Sequence, residues 1–220
     1  MVWGLTGLAL RIAQYMGLHR DGTNAKSLSP LEIEIRRRLW HQICLIDVRA
    51  AETLGFAPST IETDTRVPLN IDDADISAES DTFPKPRTGM TEMSLAIMRI
   101  KFGIVYRRLI STRQVLTLAE RVKMVEDYEQ AMHREFLESK MDTDFIRNIA
   151  DTAIKSLMWL GIYREERTLS QADKDRLFIS AIQVIEMTHE LHRDSGSKRW
   201  SWLFTSLVSF YSKLPRTRGF

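Results

Sequence analysis

Cysteine is nearly absent from this sequence, because Cys44 is the only one among 220 residues. A single thiol forms no internal disulfide and cannot supply the ligands of a cysteine-based zinc cluster. Disulfide scaffolds and such zinc modules are therefore excluded for these residues, and the composition fits a reducing compartment. Since Cys44 shares an apolar helix face with Trp40, we interpret it as a small buried side chain rather than a reactive thiol.

The net charge is also small, and long apolar runs are absent. The 31 basic and 29 acidic side chains leave a formal net charge of +2, which gives no electrostatic reason for a polyanionic partner. No segment approaches the roughly 18 uncharged apolar residues that cross a bilayer. With 44% hydrophobic and 27% charged residues, the chain is expected to be a soluble intracellular protein without a membrane partner.

Recognisable catalytic motifs are missing as well. The glycine motifs of phosphate-binding loops and the Gly-x-Ser-x-Gly elbow of many hydrolases do not occur. Glu186, His189 and His192 share one helical face, but this fragment falls short of the ligand sets of di-iron bundles and zinc proteases. We therefore predict no catalytic, cofactor-binding or metal-binding residue, and we expect that the chain is not an enzyme.

Helical periodicity dominates what is present, and no period-two strand interrupts it. Ser29-Pro30-Leu31-Glu32 combines a hydroxyl N-cap, a proline at the first helical position and a glutamate that returns the capping hydrogen bond. We predict an all-α fold, a single multi-helix domain over residues 1–220 with about seven helices. The other predicted helices cover residues 1–16, closed by a left-handed Gly17, and begin near 91, after Thr117, near 144, after Ser170 and at 200.

The apolar positions predict which helix faces are buried. In the first helix the expected core residues recur at helical spacing: Leu5, Leu8, Ile12, Tyr15 and Met16. In the helix after Ser29 one face is formed by Leu31, Ile35, Leu39, Ile43, Ala50 and Leu54. That face is widened by Trp40, Cys44, Val48 and Ala51.

Proline is concentrated in one stretch that shows no sustained helical period. Four of the six prolines, together with a run of aspartates, lie between Gly55 and Gly89. We predict one long irregular loop near residues 55–90. A loop of this length inside a compact domain is normally functional or packed down by its own side chains.

Three consecutive arginines occur at Arg36, Arg37 and Arg38. They fan over roughly 200° of the helix, and Glu32 and Glu34 lie one turn upstream as partners. We therefore interpret them as a solvated or paired face rather than a nucleic-acid or nuclear-import patch.

Three blocks of sequence carry a family resemblance. Residues 13–21 read Ala-Gln-Tyr-Met-Gly-Leu-His-Arg-Asp, residues 29–40 read Ser-Pro-Leu-Glu-Ile-Glu-Ile-Arg-Arg-Arg-Leu-Trp, and residues 64–76 read Asp-Thr-Arg-Val-Pro-Leu-Asn-Ile-Asp-Asp-Ala-Asp-Ile. In this order and spacing, residues 11–76 resemble the fungal-specific transcription factor domain, or middle homology region, of binuclear zinc-cluster regulators. The later helices are similar to that family more weakly.

The resemblance implies a regulatory domain in the nucleus that modulates transcription and senses a small molecule. The implied partners are a related regulator, in a homo- or heterodimer, and a small-molecule effector. The family reads DNA through an N-terminal module in which six cysteines hold two zinc ions, and one cysteine cannot form that module. We therefore expect no zinc or other cofactor here, no direct nucleic-acid contact by these residues, and a domain that is incomplete at both ends.

The motif positions are predicted to hold the fold together, with Arg36–Arg38 paired to the aspartates between Asp64 and Asp75. The positions so assigned are Gly17, Leu18, His19, Arg20, Asp21, Glu32, Arg36, Arg37, Arg38, Leu39, Trp40, Asp64, Arg66, Pro68, Asn70, Asp73 and Asp75.

Two other functions stay open at this point. One is a stand-alone helical protein with an enzymatic role in small-molecule metabolism, and the other is a partner-binding regulator without DNA contact. A ligand cavity would be lined by some of the methionines and tryptophans, although such residues are more often ordinary core: Met16, Met93, Met98, Met158 and the five tryptophans.

Overall fold

The computed structural model describes residues 2–25, 27–54, 56–59, 61–137, 162 and 170–193. These residues form five α-helices and no strand: α1 (Val2–Tyr15), α2 (Pro30–Leu54), α3 (Ser94–Thr112), α4 (Leu118–Met132) and α5 (Gln171–Arg193). The all-α prediction is confirmed, whereas the count of about seven helices is too high for the described residues. The helices predicted from about residue 144 and at 200–211 lie outside them. No helix in the described part of the chain combines the length and apolarity that crossing a membrane requires.

The chain divides into two compact units. The first comprises Met1–Thr117 and Gln130–Asp142, and the second comprises Leu118–Glu129 and Thr143–Phe220. The helices α1, α2 and α3 and the irregular segment between α2 and α3 lie in the first unit. The extent of a single domain over residues 1–220 stays a prediction.

The predicted helix ends are confirmed where capping bonds are described. The backbone N–H of Ser29 donates to Oε2 of Glu32 at 2.8 Å, and the N–H of Glu32 donates to Oγ of Ser29 at 3.3 Å. Before α5, the N–H of Asp173 donates to Oγ of Ser170 at 3.2 Å. These caps arise from residues three apart in sequence, which explains why sequence alone finds them.

Gly17 ends α1 as predicted. Its φ of +70° is left-handed, and its N–H donates to the carbonyl of Gln14 while the N–H of Leu18 donates to that of Ala13, both at 2.9 Å. This is the Schellman arrangement, in which glycine adopts the left-handed conformation without a side-chain clash. The chain thereby turns away from α1 into residues 18–25.

The predicted core face of α1 is wrong. Tyr15 is 94% exposed, and Leu5, Leu8, Ile12 and Met16 are each about half exposed. The buried positions are instead Thr6, Leu10 and Ala13. Arg11 is the one charged residue in this helix, so the apolar pattern runs almost all round it and cannot identify which side packs against α2.

The face assigned to α2 is also wrong in part. Ile35, Leu39 and Leu54 are about half exposed, whereas Trp40, Val48 and Ala51 are fully or almost fully buried. The same buried side carries charged residues, which hydropathy assigns to solvent: Glu34, Arg37 and Asp47. Trp40 lies with Leu10, Ala13 and Leu18 in a core cluster, against which Cys44 packs.

The segment between α2 and α3 is irregular, as predicted, apart from a 3₁₀ turn at Asp73–Asp75. Buried Asn70 organises its second half. Its Nδ2 donates to the carbonyls of Arg87 at 2.9 Å and Gly89 at 2.8 Å, and its Oδ1 accepts from the hydroxyls of Thr91 and Ser94, both at 2.8 Å. One amide side chain therefore fixes the loop to the start of α3.

Candidate functional site

Asp21 is the centre of a buried polar cluster beside α2. Its carboxylate accepts hydrogen bonds from Nε and Nη2 of Arg37 at 2.8 and 2.9 Å, which are the two parallel bonds of a bidentate pair. It also accepts the N–H of Arg66 at 3.0 Å and the hydroxyl of Thr23 at 2.7 Å. The side chains of both Arg37 and Asp21 are only 4% exposed. One carboxylate therefore joins α2, the turn after α1 and the long loop.

The environment of Asp21 favours its charged form. Burial opposes ionisation, but the hydrogen bonds from Arg37, Thr23 and Arg66 outweigh that cost and hold the pKa of this carboxyl well below its ordinary value of 3.8. The Asp21–Arg37 contact is therefore an ion pair at physiological pH.

The loop runs alongside the turn after α1 through residues 63–65. The hydroxyl of Thr65 donates to the carbonyl of Leu18 at 2.7 Å, and the hydroxyl of Thr63 donates to that of His19 at 2.8 Å. Asp64 accepts the N–H of Asp21 at 2.7 Å and lies 3.5 Å from Nη1 of Arg20. The first and third sequence blocks are thus in direct contact.

Arg38 connects α2 to the acidic part of the loop. Its Nη1 lies 2.6 Å from Oδ1 of Asp73, and its Nε lies 3.0 Å from Oε1 of Glu34. Buried Glu34 also accepts the N–H of Leu69 at 3.2 Å. The predicted pairing of the arginine run with the loop aspartates is confirmed for Arg38.

The same prediction is wrong for Arg36 and Arg37. Nη2 of Arg36 donates to the carbonyl of Met16 at 2.9 Å, at the end of α1. Arg37 lies on the buried side of α2 and pairs with Asp21 rather than with an aspartate of residues 64–75. Successive helical residues point about 100° apart, so the three arginines reach three different partners.

The remaining motif positions divide between core and surface. Leu18, Trp40 and Pro68 are buried, and the ring of His19 lies 6.1 Å from that of Trp40. Leu39 is 45% exposed and lies off the core face. Asp75 accepts the N–H of Asp72 at 2.9 Å and pairs with the guanidinium of Arg87.

A cavity of about 320 Å³ adjoins this cluster in the first unit. Its lining comes from α2, α3 and the loop after α2 and is mainly apolar, including Trp40, Val48, Ile61, Ile100 and Ile104. Of the residues proposed as cavity lining, Trp40 contributes. Met93 does not line this cavity, Trp3 and Met16 are about half exposed, and Met98 is buried in the core. Met158, Trp159, Trp200 and Trp202 lie outside the described residues.

Three polar side chains of the cavity wall are already fixed or neutral. Arg107 donates through Nη2 to the carbonyl of Cys44 at 3.2 Å and to Asp47 at 3.3 Å. Burial lowers the pKa of His41, whose Nε2 lies 3.1 Å from the carbonyl oxygen of Arg66. Because a carbonyl oxygen only accepts, Nε2 carries the proton. Burial also raises the pKa of the Cys44 thiol to about 11, as expected for an unreactive thiol.

Sequence reasoning missed Asp47 and Arg107 as structural residues. Buried Asp47 accepts the N–H and the hydroxyl of Ser59 at 2.9 and 2.8 Å, in addition to Arg107. An acidic residue at position 47, one heptad after Trp40 on the same helix face, is a signal that would have pointed to a buried ion pair.

The described residues hold no three His, Cys, Asp or Glu side chains grouped as a metal site. Of the fragment considered above, Glu186 and His189 lie on α5, and nothing is described of the side chain of His192. The arrangement beside α2 offers buried polar cross-links and an apolar cavity, both of which suit binding and structural support.

Comparison with known families gives one match, which is described as a fungal specific transcription factor domain and covers residues 1–144. No solved structure matches the chain. The family match includes all three sequence blocks, the Asp21 cluster and every residue that lines the cavity.

Several curated proteins are similar to the chain. The aurofusarin cluster transcription factor aurR2 of Gibberella zeae is 29% identical over an alignment 229 residues long. The alignment covers 96% of this chain and 34% of that protein. The pyriculol/pyriculariol biosynthesis cluster transcription factor 1 of Pyricularia oryzae is 42% identical over 101 residues, which cover 45% of this chain and 14% of that protein. The C6 finger domain transcription factor hasF of Aspergillus fumigatus is 35% identical over 129 residues, which cover 55% of this chain and 16% of that protein. The chain thus spans about a third or less of the length of these relatives.

Proposed function

Because this chain belongs to the fungal specific transcription factor domain family, we propose that it is the regulatory part of a transcription regulator and acts in the nucleus. The names of its relatives as transcription factors support this role. They also support a regulator rather than an enzyme. DNA is read by residues other than these, because one cysteine cannot build the six-cysteine zinc module through which the family reads DNA.

The motif residues hold the regulatory domain in shape. This role is supported by the contacts of Asp21, Arg37 and Arg38, all of which are made to other parts of the same chain. Buried charges that are fully paired hold neighbouring elements in one arrangement, and removal of one partner is costly. The arginine run therefore acts inside the domain and not as a contact surface for nucleic acid.

The cavity beside α2 is the site of a small-molecule effector. The single observation that carries this role is the concave, mainly apolar space of about 320 Å³ among α2, α3 and the loop. Ligand sites are concave, mostly apolar and about 300–1,000 Å³ in volume. An occupant would contact both helices and the loop, so it would bias the arrangement in which they pack.

A reporter experiment tests the regulatory role. The 220 residues are inserted between a heterologous DNA-binding domain and an activation domain in a fungal host. We expect transcription several-fold below that of the fusion without the insert, and the Arg37→Met insert should relieve the reduction because its fold is weakened. Arg20→Gln is the matched control, since it removes an exposed arginine and should keep the reduction. Equal transcription with and without the wild-type insert would contradict the role.

A further inference from the structure

One buried polar atom of the cavity wall has no partner among the described residues, and it is a hydrogen-bond donor. The indole Nε1 of Trp40 is buried and has no hydrogen-bond partner among the described residues. The hydroxyl of Thr63 is bonded to the carbonyl of His19, and that of Ser111 to the carbonyl of Arg108. The hydroxyl protons are thus already used, and the indole N–H of Trp40 remains as a donor for an acceptor group on a ligand.

The charge of the cavity wall also favours a ligand that accepts hydrogen bonds. Buried Asp47, which does not line the cavity, lies 3.3 Å from Nη2 of Arg107 and compensates its charge. Arg108 also lines the cavity, is exposed, and pairs with no acidic side chain in the described part of the chain. Since His41 is neutral at physiological pH, the wall carries one uncompensated positive charge, which lies on α3.

Beyond these donors the wall is apolar. Val48 of α2, Ile61 of the loop, and Ile100 and Ile104 of α3 line the space. Burial of apolar ligand surface against such side chains favours binding. The cavity of about 320 Å³ lies at the lower end of the size range of ligand sites, which favours a small and compact occupant.

We propose that the effector is a small apolar molecule with one anionic group, of the aromatic or aliphatic carboxylate class. Its apolar body contacts Val48, Ile100 and Ile104, and its anionic group pairs with Arg108. This inference rests on the proposed effector role of the cavity and names the ligand chemistry.

Calorimetric titration of the 220-residue chain with a matched pair of probes tests the inference. The probes are 2-naphthoate and 2-naphthalenemethanol, which share a ring system and differ in charge. We expect naphthoate to bind about fivefold more tightly, in line with a partly exposed charge-assisted pair, and the preference to shrink as salt is added.

Substitutions locate the preference. Arg108→Gln should reduce naphthoate binding to the level of the alcohol, and Arg108→Glu should make naphthoate the weaker ligand. Arg11→Gln removes an exposed arginine on α1, which contributes no cavity lining, and should leave the preference intact. Ala57→Trp, at an exposed position of the wall, should fill the cavity and abolish binding of both probes.

The outcomes separate this inference from the proposed function. Equal binding of the two probes to the wild type, or a preference unchanged in Arg108→Gln, overturns the anionic ligand and leaves the effector site standing. Absence of binding by either probe, with the fold verified by circular dichroism, overturns both. Binding that persists in Ala57→Trp places the probe elsewhere and also overturns both.

Discussion

Arg37 and Asp21 form a buried bidentate ion pair between the first half of one helix and the turn that follows another. The two hydrogen bonds are 2.8 and 2.9 Å long, and each side chain is 4% exposed. The same carboxylate accepts the N–H of Arg66 in the long loop. Loss of this pair would therefore loosen three parts of the chain at once.

Arg37→Met should destabilise the protein by about 3–5 kcal/mol, because it leaves the Asp21 carboxylate buried without its cation. Urea unfolding measures the free energy change. The control is Arg20→Gln, since the Arg20–Asp64 pair is about half exposed and should contribute less than about 1 kcal/mol. Equal losses in the two variants would contradict the assignment of Arg37 to the core.

Stability should fall in acid, in part through Asp21. Hydrogen bonds hold the pKa of this carboxyl below its ordinary value of 3.8, so the unfolded chain takes up its proton first as the pH falls. The contribution of Asp21 is therefore present above about pH 4 and is lost as the pH falls through the lowered pKa. Unfolding in urea at a series of pH values should give a shallower acid dependence for Asp21→Asn than for the wild type. Parallel curves would contradict this.

Cys44 should react slowly while the protein is folded. Burial raises the pKa of its thiol from 9.0 to about 11, so the thiolate fraction at pH 8 is about a hundredfold lower than in the unfolded chain. Alkylation by iodoacetamide, followed by mass spectrometry with and without urea, measures the ratio of rates. Similar rates in the two conditions would show that the thiol is exposed.

Gly103 allows the close approach of α3 to α2. A Cβ atom at this position would lie 2.8 Å from Cδ2 of Leu45, which is buried. Gly7 in α1 has open space instead, with no atom within 4 Å of a Cβ. Gly7→Ala should raise the free energy of unfolding by about 0.5–1 kcal/mol. The free energy of unfolding of Gly103→Ala should be about 1–3 kcal/mol lower than that of Gly7→Ala, because the new methyl group meets Leu45. Thermal unfolding compares them, and equal effects would contradict the close contact.

Local signals in the sequence predicted helix boundaries well. The caps at Ser29 and Ser170 and the left-handed Gly17 depend on residues a few positions apart, so their geometry is fixed by neighbours in sequence. The irregular loop followed from its prolines and from the lack of a helical period. The three blocks also indicated the family correctly.

Tertiary partners were harder to predict. The exposed Tyr15 and Leu39 show that an apolar period does not identify the buried face when polar residues in the core are paired. Arg37 was expected to pair within residues 64–75, yet its partner is Asp21, in the turn after α1. Such pairings depend on how the helices pack, which periodicity does not specify. The cavity likewise arises from separate elements and has no local motif.

A double-mutant cycle on Arg37 and Asp21 tests most directly the claim that the motif is an internal cross-link. The variants Arg37→Met, Asp21→Leu and the double variant are unfolded in urea, with Arg20→Gln and Asp64→Asn as the control pair. We predict that the double variant loses about 1.5–3 kcal/mol less stability than the sum of the single losses, whereas the control pair couples by less than about 1 kcal/mol. Additive losses for Arg37 and Asp21 would contradict the account.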